Sequence, residues 1–159
     1  MGLDAHVHCA CFERGLTRSA PPTGLVLSVA EDGSLALAEP ATPEDWMAMD
    51  RWRWDACDHP GGVAIRRRIG NSAMVACLGE NLATQRDAYP LLLSLVLYDG
   101  AHSGDCINPD VARAILPEID ALAVSPERDA ERYQAVQHFG RQMRDLVEAS
   151  LSFSKPIVF

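Results

Sequence analysis

Lysine is almost missing from this chain of 159 residues: of its fourteen basic side chains, thirteen are arginine and Lys155 stands alone. Aromatic residues make up only 6%. No apolar run nears the ~18 residues of a membrane span, and the longest, from Leu91 to Tyr98, contains Ser94. The opening Met1-Gly2-Leu3-Asp4 has neither a basic nor an apolar leader region, so no secretion signal is expected. The Gly-Lys-Ser/Thr ending of a phosphate-binding loop is absent, and so is the G-x-S-x-G elbow of serine hydrolases.

What is present suits an ordinary globular protein. Hydrophobic residues at 48% and charged residues at 23% predict a single domain over 1–159 with a core that needs no staples. Twenty-two acids set the net charge at −8. Such a chain repels a phosphate backbone, so a basic protein is the expected partner rather than nucleic acid or membrane. Arg66-Arg67-Arg68 is the one local exception, read as a solvated stretch paired with nearby acids in preference to an anion site. Five cysteines and no leader predict free or metal-bound thiols in a reducing compartment, the cytoplasm.

Alternation from Leu3 to Cys11 reads as a strand, with Leu3, Ala5, Val7, Cys9 and Cys11 on the core face and His6 and His8 on the other. Residues 25–29 and 34–37 flank Glu31-Asp32-Gly33 as a hairpin. Thr42 and Asn71 cap two helices, with Trp46 as a core residue of the first. The apolar segment 89–98 leans towards helix, and Asn108-Pro109-Asp110 opens another that Pro117 should kink or restart. Ser125-Pro126-Glu127 begins the longest, striped by Tyr133, Val136, Phe139, Met143, Val147 and Leu151 and carrying an Arg144–Glu148 pair. Residues 156–159 read as a terminal strand. The expected class is α+β: a small, mainly antiparallel sheet with the N- and C-terminal strands adjacent, covered by four or five helices.

Four of the chain's ten cysteines and histidines fall within the first eleven residues. Asp4-Ala5-His6-Val7-His8 resembles the metal-binding strand of the amidohydrolases, but their barrel takes at least ~200 residues. Thiolate and imidazole suit zinc, and the C-x-C and C-x-H spacings allow a site from Cys11, Cys57 and His59. The alternative is scattered core thiols and a turn histidine. The loop 99–106 offers His102 and Asp105 as catalytic candidates and Asp99 and Ser103 as ligand-binding ones. It is expected to approach Cys57-Asp58-His59. Trp52 and Trp54, interleaved with arginines, form a half-buried edge able to bind a ligand or partner.

Gly2-Leu3-Asp4 running to Cys9-Ala10-Cys11-Phe12-Glu13-Arg14-Gly15, then Ala56-Cys57-Asp58-His59, Arg68-Ile69-Gly70-Asn71, residues 97–105 and Lys155-Pro156-Ile157 together resemble a family of small uncharacterised bacterial proteins. That resemblance implies no particular activity or cofactor. The residues themselves favour an acidic binding module of immunity-like or regulatory type, occupying a basic partner. The alternative is a small zinc-dependent hydrolase or transferase built on the Cys/His set.

Overall fold

The computed structural model describes residues 2–98, 102–122 and 130–159. The fold is α+β. Strands β1 (Gly2–His8), β4 (Val63–Asn71), β5 (Cys106–Ile107) and β6 (Ile157–Val158) form one sheet in the order β4-β1-β6-β5, every neighbouring pair antiparallel. The N-terminal strand therefore lies beside the C-terminal one. A separate ribbon pairs β2 (Leu27–Val29) with β3 (Leu35–Leu37) around the expected Asp-Gly turn.

Four α-helices accompany the sheet among the described residues: α1 (Pro43–Asp55), α2 (Ser72–Ala83), α3 (Pro109–Leu122) and α4 (Ala130–Phe153). A π-helical turn, Leu92–Val96, lies between α2 and α3. Local signals set two of the helix starts. Thr42 and Asp45 form a reciprocal capping box, and the Asn71 side chain accepts from the Met74 amide at 2.8 Å. One face of the sheet buries Leu3, Ala5, Val7 and Ile69 in a core with Phe139, Met143 and Leu146 of α4, Ile115 of α3 and Leu78 of α2.

Two buried polar residues organise this packing. Glu118 of α3 accepts from the Leu91 and Leu92 amides at 2.9 and 2.8 Å, capping the apolar segment whose first turn would otherwise hold orphan donors. Lys155 has a side chain only 5% exposed; its ammonium pairs with Glu13 and donates to the Gly33 carbonyl at 3.1 Å. Gly33 has φ +81°, and a Cβ there would meet Lys155 and Pro156 at 3.1 Å, so the ribbon's turn needs glycine to reach the C-terminal segment.

Several expectations are corrected. The first strand stops at His8, and Cys11 lies in the turn that follows. Residues 63–71, where Arg66-Arg67-Arg68 reads as a solvated stretch, form the longest strand; two register shifts against β1, between Leu3 and Asp4 and between Val7 and His8, break the period-2 pattern that reveals a strand. Trp46 is 42% exposed, and Met49 is the residue that α1 buries. Arg144 pairs with Asp120 of α3 rather than with Glu148. Helix α3 runs through Pro117 without interruption. The expected start of the longest helix at Ser125 lies outside the described residues.

Replacing Glu118 by alanine strands two buried amides, and unfolding in urea is expected to show a loss of about 3 kcal/mol. Glu118→Gln, which keeps an acceptor, should lose less than half of that. Equal losses in the two variants would contradict the capping role.

Candidate metal centre

The end of β1 and the segment after α1 are brought together by backbone pairing. The Cys9 amide donates to the Gly62 carbonyl at 2.9 Å, adding one rung beyond β1. The chain then turns, with the Leu16 amide bonded to the Cys11 carbonyl at 2.8 Å. From the other side, buried Ala56 and Cys57 close α1, and a tight turn at Pro60–Gly62 leads into β4. Gly61 and Gly62 both have positive φ, +65° and +73°, a sequence of conformations that two side-chain-bearing residues would strain. Arg18 braces this loop from outside: it pairs with Asp58, and its amide donates to the Ala56 carbonyl at 2.7 Å.

This convergence gathers Cys9, Cys11, Cys57 and His59, whose four donor atoms all lie within 4.8 Å of one another. Cys9 Sγ is 3.8 Å from Cys57 Sγ; His59 Nδ1 is 3.3 Å from Cys11 Sγ and 4.0 Å from Cys57 Sγ. The His59 ring stands edge-on to Phe153 of α4 at 5.3 Å, which fixes the direction of Nδ1. Burial pushes the Cys11 thiol up to about 12, and the neighbouring Cys9 and Cys57 add to the shift. Cys9 is also raised, chiefly by burial. The cluster could hold a metal ion. Cys11, Cys57 and His59 are thus brought together; Cys9, left out of the predicted ligand set, completes it. The C-x-C spacing was the signal that could have included it.

Beside the cluster lies a cavity of about 20 Å³, room for about one water, lined by His8, Phe12, Trp52 and the three clustered cysteines among others. Trp52 donates from its indole to Ser19 at 3.2 Å and meets Phe12 edge-on. Trp54 is exposed at 62%.

The other candidates sit elsewhere. His102 stacks on Tyr98 at 4.1 Å and packs near Phe159 at 5.9 Å. Asp105 accepts from the Tyr98 hydroxyl, and its carbonyl accepts from the Phe159 amide. These bonds tie the loop to the edge of β6 that faces away from β1, because β5 occupies that edge. Among the described residues, the hydrogen bonds of the loop go to Tyr98 and Phe159 rather than to Cys57-Asp58-His59. Ser103 is exposed, and Asp99 lies outside the described residues. On the outer face of β1, His6 Nε2 and His8 Nε2 are 3.3 Å apart, and His8 Nδ1 lies 3.3 Å from the Gly62 carbonyl. Burial lowers the pKa of both. No helix of the described residues is long and apolar enough to cross a membrane.

Compared with known proteins, the chain matches no family model, no curated protein and no solved structure.

Because Cys9 and Cys11 hold their protons at neutral pH, loading a divalent thiophilic ion at pH 7 should release at least about two protons per ion. Calorimetric titration in buffers of different ionisation enthalpy measures this number. The sign follows from the raised thiols: affinity falls as pH falls, since protons compete for the same sulfurs. Binding with no proton release would exclude these thiols as ligands.

Proposed function

We propose that this protein is a zinc-stapled binding module, in which Cys9, Cys11, Cys57 and His59 hold one structural zinc and the surrounding surface engages a partner. The convergence of four donor atoms within 4.8 Å carries the reading. Zinc–sulfur bonds of ~2.3 Å and zinc–nitrogen bonds of ~2.0 Å give a tetrahedron with edges of ~3.8 Å between sulfurs and ~3.5 Å between sulfur and nitrogen. Three of the six separations, 3.8, 3.3 and 4.0 Å, lie close to those edges. Three thiolates and one imidazole are also the soft donor set that zinc favours. When bound, the ion supplies cross-linking: it ties the end of β1 to the loop between α1 and β4.

A catalytic zinc needs an open coordination position and space for substrate. Four protein donors fill a tetrahedron, and the adjacent cavity has room for about one water. Both favour the structural role over the hydrolase or transferase reading. The net charge of −8 supports a basic protein as the macromolecular partner.

Purified, untagged protein is expected to carry about one zinc per chain by elemental analysis. Cys11→Ser or Cys57→Ser should drop this below ~0.2 and lower the melting temperature by roughly 10 °C, equivalent to about 3–5 kcal/mol for a domain of this size. Chelation of the wild type should produce the same loss. Metal-free protein whose melting ignores both zinc and chelator would overturn the reading.

A further inference from the structure

The opposite face of the same strand carries a second feature. A groove of about 760 Å³ lies over the outer side of β1 and β4. His6 and His8 come from β1, Arg66 and Arg67 from β4, and Arg53 and Trp54 from α1; the rest of the lining is the glycine turn and the apolar start of β4. No aspartate or glutamate lines it. In a protein of net charge −8 this is a local reversal of the field.

The guanidinium groups are not equivalent. Arg67 donates to Asp145 of α4 at 2.9 Å, and that ion pair neutralises it. Arg53 has its outer nitrogen on Asp50 at 2.9 Å, while its Nε is buried without a hydrogen-bond partner. Among the described residues no acid pairs with the Arg66 guanidinium, which stands exposed and in register with His6. Arg66 thus offers a whole unpaired guanidinium to the concave space, and Arg53 borders the same space from α1 with a fork that Asp50 occupies at one nitrogen. At the rim, Trp54 is 62% exposed, with its ring over Gly61, where a Cβ would come 4.0 Å from Cζ2 and Cη2.

We propose that this groove binds a small phosphate monoester carrying a planar ring, of the mononucleotide type, with Arg53 and Arg66 on the phosphate and Trp54 on the ring. A phosphate offers three oxygens and can occupy two guanidinium forks at once, whereas a carboxylate fills one. The exposed indole supplies a stacking surface that any planar ring can use. The volume lies within the range of small-molecule sites. The groove is built on the outer face of β1, and none of the four clustered donors lines it.

Calorimetry on the full-length protein as isolated, at low ionic strength, tests this with adenosine monophosphate, ribose 5-phosphate, adenosine and benzoate as probes. The nucleotide should bind saturably and more tightly than either of its halves, and more weakly as salt rises. Arg66→Gln should weaken it roughly tenfold or more, the usual worth of one charge-assisted contact. Trp54→Ala should reduce its affinity to that of ribose 5-phosphate, and Trp54→Phe should restore most of the difference. An unchanged far-UV spectrum and melting temperature in each variant shows that the groove alone was altered. Absence of saturable nucleotide binding, benzoate binding as tight as the nucleotide, or nucleotide binding unmoved by Arg66→Gln would each overturn the proposal.

Discussion

Four donor atoms from two distant stretches of chain share a space less than 5 Å across, and the geometry around them depends on that convergence. Pairing of β1 with β4 delivers it. The rung from Cys9 to Gly62 sets the end of the first strand against the turn that follows His59. The register shift between Val7 and His8 is part of the same arrangement, because it adjusts how far β4 has advanced when the glycine turn begins. Left as neutral thiols, the cysteines would contribute packing and weak sulfur hydrogen bonds. The loop they hold has two left-handed glycines, which cost more conformational entropy on ordering than other residues. A metal ion held there, as proposed, would offset that cost more effectively than three small side chains can.

A second polar lock lies at the other end of the chain. Lys155 reaches a backbone carbonyl of the ribbon turn and a carboxylate of the turn after β1, while its own carbonyl accepts from Ser150 at 2.6 Å. Every other basic residue is arginine. The exception is physically sensible: an ammonium is a compact point charge that fits between two separate acceptors in a confined space, where a planar fork would need a wider slot. The lock joins β6, the ribbon and the turn containing Cys11, so it fixes the surroundings of the cluster without touching its donors.

Legibility in the amino-acid sequence divided along physical lines. Features decided within a few residues were readable: the Thr42 box, the Asn71 cap, the Asp-Gly turn and the buried stripe of Val136, Phe139, Met143 and Val147. The adjacency of the terminal strands followed from the need of a short apolar strand for a neighbour. What escaped was set by tertiary context. Strand β4 hid behind three consecutive arginines and two register shifts, although Arg67 points to the helical face and finds Asp145 there. Trp46 looked like core because large aromatics usually are, yet α1 packs on the glycine turn and buries only Met49. For the cluster, residue type and spacing identified Cys11, Cys57 and His59. Cys9 was harder to place, since a strand read as running to Cys11 puts it among the core residues, whereas β1 ends at His8. The loop around His102 was expected near the cluster because both follow apolar segments; β5 instead carries it to the far edge of β6.

The charge distribution gives the two faces of β1 different chemistry. Period-2 alternation sends Ala5 and Val7 into the core and His6 to the outer face, in register with Arg66. Past His8 the chain leaves the sheet, and the next two cysteines meet a loop instead of the core. The Gly62 carbonyl faces both sides of this division: it accepts from the Cys9 amide and lies against His8 Nδ1. A shift of the glycine turn would therefore be felt in the cysteine cluster and in the cationic groove together. What holds glycine at position 62 is its φ of +73°, since a Cβ there would meet the Arg53 side chain only at an ordinary contact distance of 3.4 Å. The turn is thus the mechanical joint between the cysteine–histidine cluster and a groove that carries the unpaired Arg66 guanidinium.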